Sequence, residues 1–262
     1  MEHNEALELL FKEKYIKGRK LVEIQLLTSV GDLLKVYRTL YEELRELGIK
    51  PLTLMTRLRD DEALVTVFLD VTNYAGDEKS LRMCLEAKSH IRYCKISKFS
   101  EVGIDEMHFP YTICGERALI LPSVVFTSME RRLVSIFESG AVPIIFEEGK
   151  AAGSAMFGML SSYTGMEAKE LVNILSRVLS AMGFGKVEIV ELDLERGRGL
   201  IRIRDSHEAI ALSGVLEGPC CHFTRGFITG MLSEATDKEV KVEEILCLGK
   251  GDPYCEFRIK FT

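Results

Sequence analysis

The stretch EEILCLGKGDPYCEFRIKF, residues 243–261, reads as two strands joined by a Gly-Lys-Gly-Asp-Pro turn. Cys255, Phe257, Ile259 and Phe261 alternate with Glu256, Arg258 and Lys260, which predicts a strand with one buried and one wet face. Cys255 opens the buried face, and Cys247 lies on the far side of the turn. On the residues alone two readings stand. A free cysteine packs as a small hydrophobe, and a cysteine pair at this spacing is not by itself a zinc signature. Against that, Glu244 precedes Cys247 by three positions, and Cys220 and Cys221 open a helix marked by Gly218 and Pro219. A helix N-terminus favours the thiolate that binds metals. Residues three apart on a regular strand point to opposite faces, so Glu244 and Cys247 can share an ion only if the strand bulges between them.

Upstream of this hairpin, helical periodicity over VFTSMERRLVSIFES, AAGSAMFGMLSSYTG and AKELVNILSRVLSAMGF precedes a hairpin of KVEIVELDL and GLIRIRD. The helix CCHFTRGFITGMLSEA follows. Helices followed by antiparallel strands predict an α+β domain over residues 116–262. Gly226 and Gly230, four apart on that helix, predict close approach of another helix or strand. RDSHE, with His207, reads as a solvated loop, because adjacent residues cannot form a catalytic relay. Arg202 and Arg204 read as the exposed face of a strand.

The first half follows a different order. LVEIQLL is a strand, Gly31 opens the helix DLLKVYRTLYEELRELG, and PLTLMTRL with ALVTVFLDV forms a hairpin. A helix over LRMCLEAKSH and a strand IRYCKISKF complete β-α-β-β-α-β, a ferredoxin-like order. The predicted organisation is a regulatory or dimerising domain over 1–100 with an N-terminal helix, a linker over 101–115, where turn residues collect, and the second domain.

Composition bounds the function. The chain has 262 residues, 47% of them hydrophobic, with a formal net charge of −6 and no long basic run. It can bury a substantial core, and nucleic acid is disfavoured as a partner. No membrane-spanning run or signal peptide is expected, which predicts a cytoplasmic protein whose seven cysteines are thiols or metal ligands. No HExxH, GxGxxG or GxxxxGK[ST] motif occurs. Catalytic residues are therefore not assigned, and the chain is read as a non-enzyme.

Two resemblances sharpen this reading. The element order around Leu21 to Phe99, with TSVGDLL at the first strand-to-helix junction, resembles an ACT domain. Such domains pair through their sheets and bind small effectors, which implies a homodimer and an effector site at Gly31 and Leu33; Val30 stands where many ACT domains have proline. CCHFTRGFITGML followed by VEEILCLGKGDPYCEF resembles the 4-vinyl reductase, or hydrocarbon-binding, domain. In the phenol- and xylene-sensing activators of that family three cysteines and a glutamate hold zinc. The resemblance carries a structural Zn²⁺ site onto Cys221, Glu244, Cys247 and Cys255, with Cys220 as the competitor of Cys221. Such a set carries more negative charge than the ion cancels, and Lys250, His222 and Arg225 are the candidate compensating cations. The resemblance also implies a pocket for a small apolar or aromatic ligand, with walls at Met156, Phe157, Met159, Leu160, Phe223, Phe227 and Met231. The chain has no tryptophan, so phenol-like recognition is not carried over. The function expected is a small-molecule sensor acting through a downstream protein partner. The alternatives are a tetrapyrrole vinyl reductase or its accessory protein, and an interaction module similar to the small TRAPP subunits.

Overall fold

The computed structural model describes residues 18–101, 107, 110–215 and 218–261. The N-terminal helix expected before Leu21 lies outside the described residues. The chain divides into two compact units, Met1–Pro110 and Tyr111–Thr262.

In the first unit, β1 (Leu21–Ser29) runs through a 3-10 turn into α1 (Leu33–Arg38). The helix continues through a π turn, Thr39–Glu43, into α2 (Leu44–Glu46). Gly48, at φ 75°, ends it by taking the left-handed conformation that costs glycine least. β2 (Lys50–Arg59) and β3 (Glu62–Asp70) form a hairpin, followed by α3 (Glu78–Glu86) and β4 (Tyr93–Ile96). The sheet order is β2-β3-β1-β4, with every pair antiparallel. Ile24 and Leu26 of β1, Val65 and Val67 of β3, Leu40, and Leu81 and Leu85 of α3 share one core. α3 starts earlier than its apolar pattern predicts, because Asp77 and Ser80 form a capping box ahead of the first buried leucine.

The second unit begins with a short hairpin, β5 (Thr112–Ile113) and β6 (Glu116–Arg117), at the end of the predicted linker. Four helices follow: α4 (Ser123–Phe137), α5 (Ala141–Thr164), α6 (Ala168–Asn173) and α7 (Leu175–Ala181). Then come β7 (Lys186–Asp193), β8 (Arg198–Arg204), α8 (His207–Leu212), α9 (His222–Thr236), β9 (Val240–Leu246) and β10 (Cys255–Phe261). The antiparallel sheet has the order β7-β8-β10-β9. Ile201 and Ile203 of β8, Phe257 and Ile259 of β10, and Phe227, Ile228 and Leu232 of α9 form its core.

α5 and α9 meet backbone to backbone. A Cβ at Gly226 would lie 2.1 Å from the carbonyl oxygen of Phe146, and one at Gly149 would lie 2.2 Å from that of Phe223. Gly153 and Gly230 repeat the pattern one turn further along, so the close approach predicted for α9 is made by glycines on both helices.

Two expectations are corrected. RDSHE is not a solvated loop: Ser206 and Glu208 are fully buried, and Ser206 caps α8 by accepting from the N–H of Ala209. Glu256 is not on a wet face. It is buried and accepts two hydrogen bonds from the Arg202 guanidinium, at 3.1 and 2.8 Å, while Arg202 stacks over the Tyr254 ring at 4.3 Å.

A candidate metal centre

The sequence leaves Glu244 and Cys247 on opposite faces unless β9 is irregular. The register supplies the irregularity: Glu256 pairs with Leu246 and the next residue, Phe257, pairs with Glu244, so Ile245 is an extra residue. This bulge turns the strand by one position, and burial changes with it. Val240, Val242 and Glu244 are buried before Ile245, and Cys247 is buried after it. Both ligand candidates therefore face the start of α9.

There they meet Cys221 and Cys255. One ligand atom from each of Cys221, Glu244, Cys247 and Cys255 lies within 4.8 Å of the others, and all four residues are buried. Cys221 Sγ and Cys255 Sγ are 3.6 Å apart. Cys220 is close as well, with its Sγ 3.6 Å from that of Cys247, but its thiol also points at the carbonyl of Ala209.

Backbone groups hold the cluster. Glu244 Oε2 accepts from the N–H of Cys221 at 3.0 Å, and Leu248 N–H donates to Cys255 Sγ at 3.3 Å. Asp252, from the Gly-Asp-Pro turn, accepts from the N–H of Cys247 at 2.8 Å, and Ser206 Oγ lies 3.5 Å from Cys221 Sγ. Gly249 leaves room for Cys220, whose Sγ would be 2.8 Å from a Cβ there. Ser206 and Asp252 are absent from the residues expected at the site. An aspartate following glycine in a tight turn is the sequence signal available for the second.

The electrostatics explain why such a cluster calls for a cation. Hydrogen bonds from the Cys220, Cys221 and Cys255 thiols hold Cys247 far below the usual thiol range. Those same thiol contacts, together with burial, push Cys221 well up. Burial and then the neighbouring Cys247 push Glu244 up to about 8. The groups cannot all ionise together without an ion among them. Glu244 Oε1 is buried with no hydrogen-bond partner, which leaves one carboxylate oxygen free to ligate. Three thiols and a carboxylate at these separations suit a small, thiophilic, four-coordinate cation.

The three candidate compensating cations do not pair with the cluster. Arg225 lies over the Phe146 ring at 5.0 Å, Lys250 is exposed, and burial followed by Arg225 pushes His222 down to about 4.

Of the residues expected to wall a ligand pocket, Leu160, Phe227 and Met231 are buried in the second unit's core, with Met156, Phe157 and Phe223 partly buried against it. Met159 lines a surface cleft with Cys114, Ala155 and Tyr163. Gly31 sits in the turn after β1, where a Cβ would meet only Ser29 Oγ at 3.9 Å, and Leu33 packs at the edge of the first core.

Residues 200–261 match the 4-vinyl reductase domain family. The matched segment holds all four clustered residues. The uncharacterized protein MJ0150 of Methanocaldococcus jannaschii is 28% identical over 121 residues, which is 46% of this chain and 65% of that protein. The chain thus spans less than two thirds of that relative's length. Among solved structures, the phenol-responsive sensory domain of the transcription activator PoxR, with phenol, is 20% identical at a TM-score of 0.48, covering 56% of this chain and 78% of that one. A vinyl-4-reductase family protein from Methanocaldococcus jannaschii is 22% identical at a TM-score of 0.41, covering 55% and 84%. No helix among the described residues is long and apolar enough to cross a membrane.

Proposed function

We propose that this chain is a small-molecule sensor or regulator whose second unit is stapled by zinc at Cys221, Glu244, Cys247 and Cys255. The convergence of those four buried ligand atoms within 4.8 Å carries the reading. Zinc at this position would supply four bonds and two positive charges, and it would leave no open coordination site for catalysis.

The residues themselves do the rest. Cys221 anchors the start of α9, Glu244 and Cys247 anchor the two sides of the bulge, and Cys255 anchors the first residue of β10. Asp252 fixes the Cys247 backbone, and Leu248 N–H offsets charge on Cys255. Such a staple holds a helix against a sheet while the apolar groups beside it, Met156, Phe157 and Phe223, remain only partly covered. They are the proposed contact points for a small apolar or aromatic ligand. The family match over residues 200–261 favours ligand binding over vinyl reduction, for which the chain offers no recognisable nicotinamide or flavin motif.

The first unit is proposed to be ACT-like and to mediate homodimerisation, with an effector near Gly31 and Leu33. Its β-α-β-β-α-β order and β2-β3-β1-β4 sheet support this. Native mass spectrometry of untagged protein tests the whole reading. One zinc per chain with a bound organic mass in a dimer is expected. Protein with reduced thiols and no metal would overturn the staple.

A further inference from the structure

Glu130, in the middle of α4, is 2% exposed, and neither of its carboxylate oxygens has a hydrogen-bond partner. Leaving a carboxylate dry and unpaired is among the costliest arrangements a fold can keep, and buried polar groups are ordinarily satisfied. The groups acting on it make its position worse. Glu208 from α8 and Glu148 from α5 are both acidic, and burial together with these two pushes Glu130 up to about 9. The nearest basic side chains are engaged elsewhere: Arg131 donates to the Ala211 carbonyl at 3.1 Å, and Arg132 to Ser135 Oγ at 3.5 Å. Glu208 is also occupied, accepting from the N–H groups of Phe223 and Thr224 at 2.8 and 2.9 Å.

Glu130 lies in the wall of a cleft of about 690 Å³ between α4 and α5. Val125, Phe126, Met129 and Leu133 form its apolar side, and Glu148 stands opposite on α5. The carboxylates do not bring three ligand atoms together as a bare metal ion requires; the metal-type cluster found among the described residues is the cysteine one. What fits is a cation that carries its own N–H donors and its own apolar surface. An ammonium would give Glu130 the hydrogen bonds it lacks, and a hydrocarbon body would cover the exposed valine and methionine.

We propose that the cleft between α4 and α5 binds a small organic cation, a primary ammonium on an apolar body, with Glu130 and Glu148 as its acidic partners. This site is separate from the apolar pocket and the zinc staple proposed above and does not depend on either.

Calorimetric titration of the full chain with n-hexylammonium chloride near pH 7.5, with 1-hexanol as the uncharged control, tests it. The ammonium is expected to bind at least about tenfold tighter than the alcohol. Because Glu130 ionises on binding, close to one proton should be released, seen as different heats in phosphate and Tris. Glu130→Gln should remove both the preference for the ammonium and the proton release while keeping zinc content unchanged. Equal affinity for the amine and the alcohol, no binding of the amine, or a Glu130→Gln protein that binds like the wild type would each overturn the proposal. Should Glu130→Gln not fold, the exposed Glu148→Gln variant decides, with roughly a threefold loss of amine affinity expected and no loss overturning it.

Discussion

Gly230 of α9 rests on the backbone of Lys150 in α5: a Cβ at position 230 would stand 2.0 Å from the Lys150 carbonyl oxygen. Neither partner in that contact is a flexible side-chain end, so the helices must separate to admit a methyl group. Gly230→Ala is expected to cost about 3 kcal/mol despite the gain in helix propensity, read as a shift in urea unfolding of the second unit. Gly158 is the internal control. It lies on α5 with nothing within 4 Å of an added methyl, so Gly158→Ala should stabilise by about 0.5–1 kcal/mol.

The staple predicts an asymmetry between neighbouring cysteines. Cys221→Ser and Cys247→Ser should each lose the zinc and destabilise the second unit by about 4 kcal/mol, measured by elemental analysis and thermal melting. Cys220→Ser should keep its metal, because Cys220 lies outside the four-ligand set and has the Ala209 carbonyl as a partner.

Glu130 gives a pH signature. Its carboxyl titrates near 9 when folded against an ordinary value of 4.5, so the folded state holds the proton more tightly than the unfolded chain. The contribution to stability is fully present below about pH 4.5 and is lost as pH rises toward 9. Glu130→Gln should flatten this part of the profile and exceed wild-type stability by about 2 kcal/mol near pH 8, measured by denaturant titration across pH in the absence of amine.

Arg202 and Glu256 should couple. Arg202→Ala leaves a buried carboxylate without its donor and is expected to cost about 2 kcal/mol, more than Arg202→Ala costs when Glu256→Ala is already in place. A double-mutant cycle that returns zero coupling would mean that the pair is solvated.

Where the sequence is readable, one element's own pattern decides the outcome. The alternation in β10 and the glycines of α9 need no outside information. The first turns of α5 escape a periodicity reading because AVPIIFEEGK is apolar without helical period and contains Pro143. That proline sits in the first turn, where its missing N–H costs nothing. Glu208 misleads for a different reason: in RDSHE it looks like surface charge, yet it is buried because it receives the N–H groups that begin α9, fifteen residues on. Glu244 and Cys247 are legible as residue types, and the extra Ile245 that turns them to one side is a matter of strand pairing. Glu130 gives no signal, since its isolation arises from packing among α4, α5 and α8.

The four interlocked glycines also limit how this unit can move. With backbone against backbone on both sides, α9 cannot advance or rotate along α5 without driving side chains into carbonyl oxygens. The two helices form a keyed shaft, fixed at one end by Cys221 and Glu208. Motion that answers a bound molecule is left to elements outside that shaft, and α4, with its dry acid and its open side, is the one poised to swing.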